Sequence, residues 1–422
     1  MPKEEKIVKT LFKNASILTM NSEQIIKGQL LVIDSRIAYI GEDAKEFAPF
    51  DQVIDCRNKL LMPGLKNAHT HSAMIFLRNR FKDVCLQDWL FKCVFPREEK
   101  LIPEDIYYLN KATILEYLAN GTTACFDQYF FPLSGAKAAD EMGMRMLLLA
   151  IFNADTNNVD DLERNYHTLN DRKDPFARYA IGVHAEYTSN DEMIKQTREA
   201  IKRLKCPFFT HISETKKEVE ECVARHNKTP LKYLFDEGLF EYGGGGYHCV
   251  HYTDEEIEIC KKNNLFIVSC PGSNQYLSSG VAPLTKFLKA GLRIALGTDG
   301  PASNESLDMF REMRLAATLE GKEIPPYEIL KMATVNGALA MGLNDSTTLE
   351  VGKYADIIMV DIVNKTDNIL YDLVHNTTAN NVKLTMINGK VLYKDGQYFY
   401  KESKEDIYKK VEEISMRIEK DL

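Results

Sequence analysis

Eight short apolar runs, each closed by a polar residue and followed by a helical stretch, predict an α/β chain built around a (β/α)₈ barrel. The length agrees: 422 residues exceed one ordinary domain and suit a large barrel with an appended module. The two ends read differently. They alternate apolar and polar residues between turn signals, which predicts a small sheet module assembled from both termini.

In chain order the runs are LLMPGLKNAHTH, TTACFD, RMLLLAIF, RYAIGVHAE, CPFFTHISE, GYHCVH, LFIVSCP and RIALGTDG. Near-continuous apolar runs suit strands buried on both faces. An open doubly wound sheet is the alternative, and repeated strand–helix alternation favours the closed form. Helix signals follow the runs. Ser189 and Glu192 make a capping-box pattern after the fourth, ahead of a stripe of Met193, Ile194, Ala200, Ile201 and Leu204. Thr253 and Glu256 repeat the pattern after the sixth. The glycine run 243–246 lacks the Lys-Ser/Thr of a phosphate loop and is read as a flexible turn.

At the N-terminal end AYIGED shows the alternation with turn signals, and at the C-terminal end the Asn-Gly and Asp-Gly pairs of LTMINGKVLYKDGQ signal tight hairpins. The expected division is residues 1–62 for the first part of the sheet module, 63–348 for the barrel, and 349–422 for the second part with a C-terminal helix. That helix places Ile407, Val411, Ile414 and Ile418 on one face, which should dock on the body.

Composition narrows the function classes. An apolar fraction of 45% with 27% charged residues is globular, and a net charge of −8 argues against nucleic-acid or membrane surfaces. No run approaches the ~18 apolar residues of a membrane helix, and the N-terminus does not read as a signal peptide. Nine scattered cysteines without a Cys-x-x-Cys pair indicate reduced thiols and a cytoplasmic location.

Histidine is scarce, with nine in total, yet five stand at the ends of proposed strands. In a barrel those ends converge on one face. His69 and His71 bracket one residue, so in an extended strand both rings point the same way. His211 ends run five, His248 lies in run six, and Asp299 ends run eight. Three imidazoles and a carboxylate suit Zn²⁺, with Fe²⁺ or Mn²⁺ as alternatives. A lone His-x-His or Asp-Gly usually means nothing. Their co-occurrence on runs one, five and eight is what predicts a metal site.

MPGLKNAHTH, THISET, HCVH and GTDGPASN resemble signatures of the amidohydrolase superfamily, and the likeness continues through ATVNGALAMGL and GKYADIIMVD. They are similar to the mononuclear aminohydrolase branch, which holds 5′-methylthioadenosine/S-adenosylhomocysteine deaminases, guanine deaminase and triazine hydrolases. The resemblance implies a distorted TIM-like barrel with a composite β-sandwich from both termini. It implies His69, His71, His211 and Asp299 as ligands of one metal ion. Glu214 would shuttle a proton to the ring nitrogen beside the attacked carbon, and His248 would orient the attacking water. Asp299 would also take a proton from the nucleophile and pass it to departing ammonia. Ser303 matches a position that helps hold the base; as an alternative it caps a helix starting near Asn304.

On the substrate side, the resemblance places an aromatic contact at Trp89 and a ribose-binding carboxylate at Glu98, because a carboxylate can accept two bonds from a vicinal diol. Core packing and a solvated charge are the plainer readings of these two. His184 matches a histidine that contacts the nucleobase or ribose. His184-x-Glu186 mimics a cytidine-deaminase motif, but no Pro-Cys-x-x-Cys follows. His251 reads as structural or as a group supporting the site residues from behind, while His167, His226 and His375 read as surface groups.

The chain departs from the pattern in two places. Where adenosylhomocysteine deaminases clamp a carboxylate with arginines, the matched positions are Ala150 and Asp161, with Arg145 and Arg164 nearby but not at those positions. Ser269 stands where many relatives have histidine. The expected substrate is thus a nucleoside with an uncharged 5′ group, such as methylthioadenosine, deoxyadenosine or adenosine, ahead of adenosylhomocysteine. A guanine, oxidised-purine, pterin or triazine hydrolase is the alternative, and a non-catalytic scaffold the remote one. Homo-oligomers are common among similar proteins; the sequence fixes no count.

Overall fold

The computed structural model describes residues 7–81, 86–150, 159–321, 323–363 and 368–422. Within them the eight runs become parallel strands: Leu65–Thr70, Thr122–Tyr129, Arg145–Ala150, Ala177–Ala185, Phe208–Ile212, Gly244–His248, Phe266–Ser269 and Arg293–Leu296. Each pairs with its neighbours in chain order. Inward residues of these strands fill the barrel, where Ala68, Phe126, Leu149, Phe209, Tyr247 and Val268 share one buried cluster.

Strands eight and one close in a different manner. Just beyond strand eight, the N–H groups of Thr298 and Asp299 donate to the His69 carbonyl at 3.1 and 3.0 Å. Asn67 accepts from Thr298 N at 2.9 Å and donates to its hydroxyl at 2.7 Å. Gly297 permits this approach, because a Cβ there would stand 2.7 Å from the backbone N and O of His69. The barrel is distorted at this seam, and the seam sets His69 beside Asp299.

The terminal segments combine into one nine-stranded mixed sheet. Lys59–Pro63 from the N-terminal part pairs antiparallel with Ile357–Asp361 from the C-terminal part. Phe12, Ile17, Leu30, Ile357, Leu384 and Met386 form its separate core. Val382–Ile387 and Lys390–Lys394 make the hairpin expected around Asn388-Gly389. The C-terminal helix, Lys404–Lys420, buries Ile407, Val411, Ile414 and Ile418 within the main core, as its pattern predicts.

Three local expectations are corrected. The glycines at 244–246 are not a flexible turn; they form most of strand six, paired with Phe208, Phe209 and Thr210. A Cβ at Gly244 would collide with the Phe208 backbone, so the run lets strand six fit between its neighbours. Asn190, not Ser189, caps the helix Asp191–Leu204, accepting from Met193 N at 2.9 Å. Ser189 instead bonds the Ala185 carbonyl. His226 is not simply a surface group: half-buried, it stacks on Tyr233 and meets the buried Glu186 carboxylate at 2.9 Å. Thr253 forms its capping box with Glu256 as expected.

The eight described cysteines carry free thiols. Among the described residues no helix is long and apolar enough to cross a membrane.

Candidate metal centre and active site

The C-terminal ends of strands one, five and eight converge. Nε2 of His69 lies 3.1 Å from Nε2 of His211, and Nε2 of His71 lies 3.2 Å from it. Asp299 Oδ1 stands 3.3 Å from His69 Nε2 and 3.2 Å from His71 Nε2. All four side chains are buried. Adjacent ligand atoms around a small ion at metal–donor distances of about 2.0 Å stand roughly 3 Å apart, as these four pairs do, and all four donor atoms lie within 4.8 Å of one another. The four groups therefore fit a single small divalent cation.

The electrostatics agree. Burial holds His69 down at about 3 and keeps His211 well below its ordinary value, so both offer lone pairs. Burial would lower His71 also, yet the adjoining Asp299 carboxylate and the Gln128 carbonyl hold it up at about 9. Burial pushes Asp299 upward, but the His69 and His71 rings outweigh it and keep the carboxyl well below the usual range. Asp299 Oδ1 is buried without a hydrogen-bond partner. An anionic oxygen in that position calls for a cation.

Surrounding groups fix which nitrogen faces the centre. His71 Nδ1 donates to the Gln128 carbonyl and His211 Nδ1 to the His184 carbonyl, each at 2.7 Å, which turns each Nε2 toward the centre. The other oxygen of Asp299, Oδ2, accepts from Ser273 and Ser303 hydroxyls at 2.6 Å each. Ser303 lies inside the short helix Pro301–Asn304, so it holds Asp299 and is not the cap. Asp299 and His248 both adopt left-handed backbone, with φ of 58° and 67°. Such conformations are uncommon outside glycine and gather at functional sites.

Glu214 and His248 stand beside this cluster. Glu214 Oε1 accepts from Ser279 at 3.0 Å, and Oε2 lies 3.9 Å from His248 Nε2. Burial pushes the Glu214 carboxyl above its ordinary value despite the His248 ring nearby. His248 Nδ1 meets Asn274 Oδ1 at 2.7 Å, while its Nε2 is buried with no partner.

One cavity is lined by His71, His211, Glu214, His248, Asp299 and Ser303 together with Trp89, Glu98 and His184. Every residue singled out for catalysis, metal or substrate borders this space or, for His69, the cluster beneath it. Trp89 is 3% exposed and opens a π-helical stretch, Trp89–Val94, so it packs in the core and faces the cavity at once. Glu98 is buried rather than solvated; its Oε1 accepts from the Tyr129 hydroxyl at 2.6 Å. Burial lifts its carboxyl to about 7, against the opposing pull of that hydroxyl. His184 bonds Thr188 through Nδ1 at 3.0 Å.

Other candidates lie elsewhere. Arg145 pairs with Asp356 near the base of the barrel at 2.6 Å, and Arg164, itself exposed, pairs with Asp161 on the helix Val159–Asn170. The Ala150 side chain lies outside the described residues. Glu186 is bound by Arg225 and His226, away from the metal cluster. His251 Nε2 donates to the Ser279 carbonyl at 2.9 Å. Ser269 ends strand seven, where its carbonyl accepts from Gly297 N.

Sequence reasoning missed several supports. Glu218 accepts the backbone N–H groups of Ser213 and Glu214 at 2.7 Å each; the Thr215-x-x-Glu218 capping box was the available signal. Ser273 and Asn274 follow Ser269 in the segment SCPGSN, and their partners Asp299 and His248 are each 26 residues away. Tyr129 carried no signal, because its partner Glu98 is 31 residues away.

A parallel barrel with such a cluster at its strand ends is an architecture of metal-dependent hydrolases. The chain matches the amidohydrolase family over residues 60–392, and it belongs to that family. It is 38% identical to a 5-methylthioadenosine/S-adenosylhomocysteine deaminase of Caldanaerobacter subterraneus over 90% of this chain and 92% of the relative. The enzyme of that name from Thermoanaerobacter pseudethanolicus is 39% identical over 90% and 93%. A zinc-bound adenosine deaminase structure from Xanthomonas campestris superposes with a TM-score of 0.91 at 29% identity, covering 98% of this chain and 99% of that one.

Proposed function

We propose that this protein hydrolyses the exocyclic amine of an adenosine-type nucleoside, giving the inosine analogue and ammonia. The observation that carries the reading is the shared cavity. A buried carboxyl above its ordinary range, Glu214, and a carboxylate held below it, Asp299, face the same space as the Glu98–Tyr129 pair. Two carboxyls pushed in opposite directions divide acid and base work. The names of the relatives support the same chemistry.

His69, His71, His211 and Asp299 would hold one divalent ion, zinc by donor type, with iron or manganese as alternatives. When bound, such an ion lowers the pKa of water toward neutrality. The protein's own groups do the rest. Glu214 delivers a proton to the ring nitrogen adjoining the attacked carbon and regains one from the water-derived hydroxyl as the carbonyl forms. His248 Nε2, aimed by Asn274, orients the attacking water. Asp299, steadied by Ser273 and Ser303, accepts the water's proton and returns it to the leaving amine. Trp89 and His184 border the base and sugar, and Glu98 accepts the ribose hydroxyls.

The 5′ group should be uncharged. Met74, Leu86, Leu90, Phe95 and Leu277 border the cavity, and among its described lining residues there is no lysine or arginine. A buried carboxylate there would lack a partner. The free thiols support a cytoplasmic setting.

The test is ammonia release from adenosine, deoxyadenosine, methylthioadenosine and adenosylhomocysteine by metal-loaded protein. We expect turnover of at least one of the first three and the weakest for adenosylhomocysteine. Silence on all four removes the reading. Glu98→Ala should raise KM for ribonucleosides by about tenfold or more, in line with losing hydrogen bonds to a charged group. Wild-type KM should fall as pH rises through about 7, where Glu98 ionises. A Glu98→Ala enzyme with unaltered KM would instead favour a free base such as guanine as substrate.

A further inference from the structure

The stretch that follows strand seven contributes no ligand to the metal cluster, yet it touches each of the three acid–base side chains. Ser273 donates to Asp299 Oδ2 at 2.6 Å. Asn274 Oδ1 accepts from His248 Nδ1 at 2.7 Å. Ser279 donates to Glu214 Oε1 at 3.0 Å. Ser273, Asn274 and Ser279 are all buried.

The stretch is itself anchored from both sides. Ser279 N donates to the Asn274 carbonyl at 2.8 Å, and Ser278 takes a left-handed φ of 56° that turns the chain just ahead of Ser279. His251 bridges outward: its N–H donates to the Ser213 carbonyl at 2.9 Å and its ring to the Ser279 carbonyl at 2.9 Å. The residue before Glu214 and the residue that bonds Glu214 are thereby tied to one imidazole. On the other side, the buried Glu312 accepts from Gly272 N at 2.8 Å and from Asn304 Nδ2 at 2.9 Å, joining this stretch to the helix that carries Ser303.

We propose that Ser279 is the positioning residue for Glu214, and that residues 271–280 act as a single template that sets the proton donor, the water-orienting histidine and the proton acceptor in register. The inference rests on the roles assigned to these three groups above and deepens that reading. Glu214 has few constraints of its own. It sits on the loop after strand five, its carboxylate is 3.9 Å from His248, and Ser279 is its one hydrogen-bond donor at normal distance among the described residues. A glutamate with three rotatable bonds loses proton-transfer geometry quickly when such a restraint goes.

The test compares Ser279→Ala and Ser279→Thr with wild type in metal-loaded form, alone and in a Glu214→Gln background. Ser279→Ala should lower kcat about tenfold, with KM, bound metal and melting temperature unchanged, and Ser279→Thr should retain most of kcat because it keeps the hydroxyl. Added to Glu214→Gln, Ser279→Ala should cost nothing further. An unchanged kcat in Ser279→Ala, or a fall of equal size in the Glu214→Gln background, overturns the proposal while leaving the deaminase reading intact. If wild type releases no ammonia from any nucleoside, that reading fails instead. A crystal structure of metal-loaded Ser279→Ala then decides: a displaced Glu214 carboxylate supports the positioning role, and an unmoved one overturns it.

Discussion

Replacing Glu214 by glutamine should lower kcat by about 10³ or more while leaving the metal bound. The reasoning is geometric. Glu214 stands three residues beyond His211, outside the four-atom cluster of His69, His71, His211 and Asp299, so its loss removes no ligand. Burial pushes its carboxyl above the usual range, which favours the protonated form relative to an exposed glutamate. Glutamine preserves size and the Ser279 contact but has no proton to give. Metal content by elemental analysis, set beside ammonia release, checks both halves. Loss of the ion in this variant would contradict a proton-shuttling role.

Asp299→Ala should have the opposite profile, losing metal and turnover together. Its Oδ1 is the only anionic atom of the cluster, and without it three imidazoles remain, of which His69 and His211 are held neutral by burial. The Ser273 and Ser303 hydroxyls would lose their shared acceptor. We expect bound metal to fall from about one ion per chain to a small fraction, and kcat to fall by at least about 10³. Chelation of wild type should reproduce the loss, lower the melting temperature by several degrees, and be reversed by zinc. Full metal occupancy in Asp299→Ala would show that the carboxylate is not a ligand.

The contrast between these two variants reflects how the barrel is built. Strand ends supply groups from distant parts of the chain, while loops supply the groups that aim them. The seam between strands eight and one illustrates this. His69 and Asp299 are 230 positions apart in the sequence, yet the backbone of Asp299 donates directly to the His69 carbonyl.

The sequence by itself determined the eight strands, the sheet made from both ends, the docked C-terminal helix, and the three histidines and one aspartate of the cluster. These were readable because strand burial, helix periodicity and His-x-His spacing are local patterns, written within a few residues. Tertiary structure alone decided the rest. It turned the glycine run into strand six, because only the neighbouring Phe208 backbone makes small residues necessary there. It buried Glu98 against Tyr129, moved Arg145 to the barrel base, and gave Ser273, Asn274 and Ser279 their partners. Each of those outcomes is a contact between segments far apart in the chain. A hydrogen bond of that kind depends on where two loops meet in space, and no pattern within either loop encodes the meeting.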